Sequence, residues 1–257
     1  MNSSILTVNE LTKKYYSKSV NLFNKKTSAN KALDKVSFSL SPGLYGLLGP
    51  NGAGKSTLIN IITGSLKRSG GSVKWNDISI TRLGKKYRKI LGFMPQQQTL
   101  YNSFTGRQFL LYMCALKQIK KQEARGEVER VARRVNLTDR LDKRLDEYSG
   151  GMKQRLLAAG ATLGKPKLII FDEPTAGLDP KERVRLRGYM KELSENAIVI
   201  TATHVVSDVE TVADEILLLK EGHLQDKGSV PHLIDKYAPG ENREQVYLNI
   251  FGEEGKH

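Results

Sequence analysis

Cysteine is almost absent from this sequence, and its scarcity excludes several kinds of site. Among 257 residues there is one cysteine, Cys114, so the chain cannot form an internal disulfide. Cys114 lies in the apolar run 109–116. This position predicts a small buried core residue and not a catalytic thiol or a metal ligand. A reducing, cytosolic compartment fits this composition.

Long apolar runs are also lacking. A membrane-spanning helix needs about 20 mostly apolar residues. The apolar runs here, such as 109–116, 168–171, 197–202 and 216–219, are far shorter. The first residues, Met1 to Ser4, have neither the charged nor the apolar region of a secretion signal. These features predict a soluble, intracellular chain.

Acidic residues are in deficit. The chain has 41 lysines and arginines against 27 aspartates and glutamates, for a net charge of +14. Such an excess suits nucleic acid, an anionic membrane surface, a nucleotide or merely solubility. The basic residues are spread along the chain, with clusters at 67–68, 85–89, 117–121 and 133–134. An arginine and aromatic stripe of the kind that binds single strands does not accompany them, so charge alone selects no function.

The N-terminal part of the chain has a β pattern. Apolar and polar residues alternate over 36–41, which predicts a half-buried strand. Residues 72–80 predict a hairpin that turns at Asn76 and Asp77. The segment 18–31 is polar and predicts a loop.

Helices and strands alternate through the rest. Residues 106–135 have a helical pattern, and the apolar runs 168–171 and 197–200 are typical of strands buried on both faces of a parallel sheet. Asp179, followed by proline, predicts the start of a helix. Capping-box spacing at 207–210 predicts another helix start.

A turn between the apolar segments 44–48 and 58–62 fits the phosphate-loop pattern GxxxxGK[ST]. The nucleotide-binding residues predicted in this turn are Gly49, Pro50, Asn51, Gly52, Ala53, Gly54, Lys55, Ser56 and Thr57. Its glycines let successive N–H groups point at phosphate oxygens, and the following helix adds its N-terminal dipole. We expect Lys55 to reach the β- and γ-phosphates and Ser56 to hold Mg²⁺. The alternative is a surface turn that fits this pattern by chance. The apolar segments on both sides of the turn disfavour that alternative.

Two adjacent carboxylates, Asp172 and Glu173, close the apolar run 168–171. In a nucleotide-hydrolysing site, the first suits the Mg²⁺ shell, and the second suits orienting or deprotonating the attacking water. Adjacent acids at a strand end are otherwise a solvated cap. A phosphate loop in the same chain favours the catalytic interpretation.

A third element points to a family. The octapeptide 148–155, YSGGMKQR, resembles the signature motif of ABC ATPases, usually LSGGQ, and departs from it at Tyr148 and Met152. Ser149 can cap a helix that begins at Gly150, and Gly150 and Gly151 can present N–H groups to an anion. A flexible turn before a helix is the alternative. By this resemblance the chain is identified as an ATP-binding subunit of an ABC transporter.

Other positions resemble the motifs of the same family. Tyr15 resembles the aromatic residue that stacks on adenine, with Tyr16 beside it and a core-packing role as the alternative. Gln96 resembles the Q-loop glutamine, which links Mg²⁺ to the helical lobe, although two more glutamines follow and the register could shift by one. His204 resembles the switch histidine at the γ-phosphate. Asp179 resembles the D-loop residue that crosses between partners, a role compatible with a helix cap.

The resemblance implies an α/β fold: a P-loop NTPase core with a mainly parallel sheet flanked by helices, an antiparallel β subdomain and a smaller helical subdomain. The implied boundaries are 1–95 and 150–230 for the ATP-binding core with its β subdomain, 96–149 for the helical signature subdomain and 231–257 for a short C-terminal tail. The implied ligands are ATP and Mg²⁺.

The resemblance also implies partners. Two copies, expected to be a homodimer, would face each other head to tail, with each ATP between the Lys55 loop of one copy and the Ser149 helix of the other. The pair would drive a separate membrane permease from the cytoplasmic face of the cell membrane. Residues 204–210 resemble the export-type subgroup of drug, peptide and bacteriocin-immunity transporters. An ABC-type ATPase acting on nucleic acid is the alternative, but no nucleic acid is expected because a DNA-repair ATPase would need a long coiled coil between Lys55 and Ser149.

Overall fold

The computed structural model describes residues 4–18, 27–97 and 100–237. Its strands are β1 (Leu6–Lys18), β2 (Thr27–Leu40), β3 (Gly43–Leu48), β4 (Gly70–Trp75), β5 (Ile78–Ser79), β6 (Leu91–Met94), β7 (Leu168–Asp172), β8 (Ile198–Thr203), β9 (Glu215–Lys220) and β10 (His223–Gly228). Its α-helices are α1 (Lys55–Ile62), α2 (Ile80–Leu83), α3 (Lys85–Ile90), α4 (Gly106–Leu116), α5 (Lys121–Arg134), α6 (Gly150–Ala161), α7 (Pro180–Ser194) and α8 (Val230–Tyr237).

The central sheet has the strand order β10-β9-β3-β8-β7-β6. Its neighbours pair in parallel except for β9 and β10, which form an antiparallel hairpin. Every residue of β7 and β8 is buried, because α1, α6 and α7 pack on the parallel strands. The predicted buried strands at 168–171 and 197–200 are therefore confirmed, apart from Ala197, which precedes β8. The carboxyl ends of β3, β7 and β8 meet at one edge of the sheet, where such folds bind ligands.

A second sheet is antiparallel, with the order β2-β1-β4-β5. The β4–β5 hairpin turns at Asn76 and Asp77, both in the left-handed region with φ of 47° and 62°, as a two-residue primed turn requires. The predicted hairpin is thus confirmed. This sheet supplies the antiparallel β subdomain that the sequence implied.

The predicted loop at 18–31 is too long. Residues 27–31 belong to β2 and pair with β1, from Lys18 opposite Thr27 to Lys14 opposite Lys31. Asn30 and Lys31 are exposed. This end of the β1–β2 pair is a two-stranded ribbon exposed to solvent. Its strands are joined by backbone hydrogen bonds, which do not require an apolar face, and the sequence is therefore polar here.

The helical lobe is built from α4, α5 and α6. Its buried core includes Phe109, Leu110, Cys114, Val128 and Val131, so the predicted burial of Cys114 is confirmed. Helix α4 begins with a complete capping box from Thr105 and Gln108. Helix α6 also packs on β6 and β7, and it therefore carries the signature residues on the element that joins this lobe to the central sheet.

The predicted helix start at 207–210 is wrong. A short 3-10 turn, Val206–Asp208, occupies this position, and β9 begins soon after it. The Asp208 carboxylate accepts a hydrogen bond from Thr175 and does not cap a helix. Val209 is fully buried in contact range of Gly46, so the chain is held against the sheet before a helix can form.

At the C-terminal end, α8 occupies the first part of the predicted tail, and residues 238–257 lie outside the described part of the chain. Within the described ranges, no helix is both long enough and apolar enough to cross a bilayer.

Candidate functional site

The predicted phosphate loop connects β3 to α1, and its glycines are required by close backbone contacts. A Cβ atom on Gly49 would lie 2.2 Å from the carbonyl oxygen of Leu219, and one on Gly54 would lie 2.5 Å from that of Ala32. Gly54 also has a φ of 105°, which disfavours other residues. The loop is thus wedged between β2 and β9, and its curled backbone is fixed by the fold.

Lys55 is the first residue of α1 and its side chain is folded into the loop. Its Nζ donates hydrogen bonds to the carbonyl oxygens of Gly49 and Pro50, the latter at 3.0 Å, and the residue is only 8% exposed. Burial lowers the pKa of the ammonium, and the carboxylates of Glu173 and Asp172 oppose this shift. A desolvated cation at this point would attract a phosphate strongly.

Asp172 ends β7 and is buried. Burial raises the pKa of its carboxyl, the neighbouring Glu173 raises it further, and Lys55 opposes both effects. A divalent cation beside this carboxylate would offset its burial. Ser56, in the first turn of α1, is exposed and presents a hydroxyl close in sequence to the buried ammonium.

Glu173 follows β7 in a left-handed conformation with φ of 50°, an unusual backbone state for a non-glycine residue. Its N–H donates to the carbonyl oxygen of Ala202 at 2.9 Å, which ties this residue to β8. Strained backbone of this kind is concentrated at functional sites, where the surrounding structure enforces it. Here it directs a buried carboxylate toward the end of the neighbouring strand.

The carboxylate of Glu173 is held by two residues at the end of β8. His204 Nδ1 lies 2.9 Å from Oε1, and Thr203 Oγ1 donates to Oε2 at 3.3 Å. An ionised Glu173 carboxylate can only accept hydrogen bonds, so this contact suits the His204 tautomer that carries a proton on Nδ1. The His204 side chain is 53% exposed and that of Glu173 only 8%. Two residues predicted independently from separate motifs are therefore in direct contact, in the arrangement of a positioned general base.

The sequence did not predict a second link between the same two loops. Thr175 Oγ1 donates to Asp208 Oδ2 at 2.5 Å, and Asp208 is 3% exposed. Its Oδ1 has no hydrogen-bond partner within the described part of the chain. This buried contact joins the loop after Glu173 to the loop after His204. No short motif marks Thr175 and Asp208 as a pair.

Ser149 caps helix α6, as predicted. Its Oγ accepts a hydrogen bond from the backbone N–H of Met152 at 3.2 Å, and Ser149 and Gly150 are exposed. A Cβ atom on Gly150 would meet no atom within 4 Å. Packing within the described chain therefore does not require glycine at this position.

Tyr148, where the sequence departs from the usual signature, has a structural partner. Its phenol donates to the carbonyl oxygen of Arg140 at 2.6 Å, and its burial raises the pKa of that phenol. A Cβ atom on Gly106 would lie 2.3 Å from Tyr148 Oη. The larger side chain at 148 is accommodated because residue 106 has none.

We therefore expect Gly106→Ala to lower the free energy of unfolding by about 1–3 kcal/mol through overpacking. The control is Gly126→Ala in α5, where a Cβ atom meets nothing within 4 Å and the change should be neutral or slightly stabilising. Urea unfolding of both variants measures the difference. Equal stability of the two variants would contradict the contact, and Tyr148→Phe combined with Gly106→Ala should recover part of the loss.

Asp179 caps α7 by accepting a hydrogen bond from the N–H of Glu182 at 2.9 Å. This end of α7 lies against the signature helix: a Cβ atom on Gly151 would be 3.5 Å from Glu182 Cγ. Arg155 and Glu182 form an ion pair at 2.8 Å between largely buried side chains. The structure thus places the predicted D-loop residue next to the signature residues of the same chain.

The remaining predicted residues are exposed. Tyr15 is 44% exposed with Lys13 Nζ 5.0 Å from its ring centroid, and Tyr16 is 66% exposed. The core-packing alternative for Tyr15 is therefore wrong, while contact of either ring with adenine stays a prediction. Gln96 lies in the bend after β6 and is exposed, as is Gln97; the third glutamine, Gln98, lies outside the described residues.

The site thus falls into two parts. Lys55, Asp172, Glu173 and His204 are assembled at the carboxyl edge of the parallel sheet. None of the hydrogen bonds among the described residues joins the signature residues 149–151 to the phosphate loop.

Comparison with known proteins finds relatives that are described as ABC transporter proteins. The family model described as ABC transporter matches residues 33–176, more than half of the chain. The uncharacterized ABC transporter ATP-binding protein YxlF of Bacillus subtilis (strain 168) is 35% identical over 86% of this chain and 71% of its own length. ABC transporter A family member 12 of Arabidopsis thaliana is 37% identical over 78% of this chain, which spans 22% of that protein.

Solved structures agree with the fold. A structure described as the ATP-binding subunit of an ABC transporter has a TM-score of 0.80 and 26% identity, and the match covers 96% of this chain and 99% of the other. A bacterial ABC transporter cassette solved as a dimer has a TM-score of 0.74 and 25% identity, covering 87% and 98%. The chain described here belongs to the ABC transporter family and is an ATP-binding, ATP-hydrolysing subunit of that family.

Proposed function

We propose that two copies of this chain close around ATP and thereby drive solute export by a separate membrane permease. The observation that carries the proposal is the division of the site: the phosphate loop, with Asn51, Gly52 and Ser56 exposed, and the exposed start of the signature helix make no hydrogen bond to each other within the described chain. In the proposed arrangement, one ATP contacts both sets because a second molecule supplies one of them. The dimeric cassette among the structural relatives supports this arrangement.

In the proposed site, the loop 49–56 holds the phosphates. Its fixed backbone presents N–H groups, and Lys55 exchanges its carbonyl partners for phosphate oxygens. Thr57 lies on the same first turn of α1. Tyr15 supplies an exposed ring for the adenine. The exposed Ser149 and Gly150 and the half-buried Gly151 of the other copy present the N-terminus of α6 to the opposite side of the phosphates.

Mg²⁺ fits the oxygen donors at the same edge. Ser56 and Asp172 would hold the ion, with Gln96 approaching from the bend after β6, and oxygen ligands of this kind suit Mg²⁺. When bound, Mg²⁺ neutralises charge that develops on the phosphate oxygens. Asp172 is suited to this role because its burial disfavours an unpaired carboxylate.

Glu173 orients the attacking water and accepts its proton. Thr203 and His204 hold the carboxylate, so little reorganisation is needed when the water arrives. His204 is exposed enough to reach the γ-phosphate from the same position. Asp179 lies beside the signature helix and is placed to sense closure across the dimer.

A permease docking surface is provided by exposed aromatic residues that follow Gln96. Tyr101 and Tyr112 are 58% and 43% exposed, and both pack against Phe104, with ring centroids 5.2 and 6.4 Å apart. Exposed aromatic clusters are typical of protein interfaces. Tyr101 lies between Gln96 and the helical lobe, and Tyr112 lies on α4 of that lobe, so the cluster is placed to connect a partner with the nucleotide site. In this proposal the permease holds the chain at the cytoplasmic face of the membrane. The resemblance of 204–210 to export-type transporters favours export.

The test is affinity purification of the tagged chain from gently solubilised membranes. We expect an integral membrane protein to co-purify with the wild-type chain and to be lost from Tyr101→Ala combined with Tyr112→Ala. Val184→Ala removes another exposed apolar side chain, on α7, and should retain the partner. Recovery of nucleic acid in place of a membrane protein would overturn the proposal. Uptake of solute in the import direction by reconstituted vesicles would overturn its direction alone.

A further inference from the structure

Most of the net positive charge of this chain arises in one stretch, because acidic residues are nearly absent from it. Residues 55–122 contain 13 lysines and arginines and a single acidic residue, Asp77. This stretch therefore carries +12 of the net charge of +14. ATP binding uses only Lys55 of these cations, so the proposed function does not account for the rest.

Seven of these cations lie in three successive segments that all contribute residues to one cavity. They lie in the loop after α1 and on α2 and α3: Lys67, Arg68, Arg82, Lys85, Lys86, Arg88 and Lys89. None of the seven forms an ion pair with a carboxylate of the described residues. Clustered cations without such partners repel one another, and an anionic ligand would relieve that repulsion.

The cavity has a volume of about 620 Å³ and is lined by residues of the loop after α1, of α2 and of α3. Its rim carries Lys67, Arg68 and Arg88. Arg68 is oriented by two hydrogen bonds, from Nε to the Gly71 carbonyl oxygen at 2.8 Å and from a terminal nitrogen to Thr81 Oγ1 at 3.5 Å. A guanidinium held in this way is suited to a phosphate group.

The inner wall of the cavity is apolar. Ile61, Leu66, Ile80 and Tyr87 line it. The Tyr87 phenol donates to the carbonyl oxygen of Ile62 at 2.9 Å, so its hydroxyl is already used within the chain. A basic rim above an apolar wall suits an amphiphile, in which a phosphate adjoins a hydrocarbon segment.

We propose that this basic cavity binds the phosphate headgroup of an anionic phospholipid at the membrane surface. The apolar wall favours a lipid over free phosphate, which would leave that wall without a partner. Nucleic-acid binding without sequence preference uses aromatic stacking platforms, whereas the exposed tyrosines of the described chain, Tyr15, Tyr16, Tyr101 and Tyr112, do not line this cavity. Lipid binding goes beyond the proposed function because it needs neither the permease nor ATP turnover.

The test uses the purified full-length chain and sedimentation with vesicles. Pure phosphatidylcholine vesicles are compared with vesicles that also contain phosphatidylglycerol. We expect binding only to the latter, weakening as salt is raised. Each lysine or arginine near an anionic surface contributes about 1 kcal/mol, so Lys67→Glu combined with Arg88→Glu should reduce the affinity at least about tenfold.

The control makes the same charge change elsewhere. Arg125→Glu combined with Arg133→Glu alters two exposed cations of α5, and it should reduce binding far less. Equal losses in the two double variants would overturn a localised site, and so would equal binding to both kinds of vesicle. Binding to a single-stranded oligonucleotide that the cavity variant loses, without vesicle binding, would overturn the lipid assignment. ATP hydrolysis, measured on every variant, reports folding and tests the proposed function separately.

Discussion

Replacement of Glu173 by glutamine is expected to lower ATP turnover by about 10²- to 10⁴-fold, the range for a positioned general base. The amide keeps the size of the side chain but cannot accept a proton from water. The backbone bond from Glu173 to Ala202 does not depend on the side chain, so the local fold should persist. Nucleotide binding should therefore be retained while hydrolysis is lost.

Phosphate release at saturating ATP measures turnover, and equilibrium binding of ATP measures the retained affinity. Glu221→Gln is the matched control, because Glu221 is an exposed glutamate that also has a positive φ, 47°, at the turn between β9 and β10. Its turnover should equal that of the wild type. Near-normal hydrolysis by Glu173→Gln would remove Glu173 from the catalytic role.

The second large effect concerns the sharing of the site between two chains. Lys55→Ala removes the buried ammonium from the phosphate loop, and Ser149→Arg places a bulky cation at the exposed N-terminus of α6. Each variant alone should be nearly inactive, because both sites of its dimer lack one half. In a mixed dimer, one site receives intact Lys55 from one chain and intact Ser149 from the other.

Mixing the two inactive variants should therefore restore part of the ATPase activity, with at most one intact site in each mixed dimer. The measurement is turnover as a function of mixing ratio, which should be greatest near equal amounts. Full wild-type activity in the mixture would argue against a shared site. A mixture as inactive as its components would argue either that the site lies within one chain or that both sites must be intact; activity of Ser149→Arg mixed with wild-type chain distinguishes these outcomes.

Much of the site could be predicted from the sequence because its requirements are local. A Cβ atom on Gly49 or Gly54 would lie within 2.5 Å of a backbone carbonyl oxygen of a neighbouring strand, so both positions require glycine. The phosphate-loop motif specifies glycine at both positions. Ser149 and Asp179 cap the helices that they immediately precede. The buried strands could be recognised from their continuous apolar runs.

The missed features depend on contacts between distant residues. Thr175 and Asp208 are 33 positions apart, and the spacing around Asp208 indicated a helix cap. The large side chain of Tyr148 fits because residue 106 is a glycine. These two residues are 42 positions apart, and no local sequence pattern connects them. The β1–β2 ribbon was underestimated because its polar residues lack an apolar alternation, although their backbones pair.

Closure of two chains around ATP is the central claim, and the mass of Glu173→Gln in solution tests it most directly. Light scattering during size-exclusion chromatography would be recorded with and without ATP. The account predicts the mass of one chain without nucleotide and of two chains with ATP, and Glu173→Gln combined with Ser149→Arg should remain a single chain in both conditions. A Glu173→Gln chain that binds ATP and stays monomeric would contradict the account.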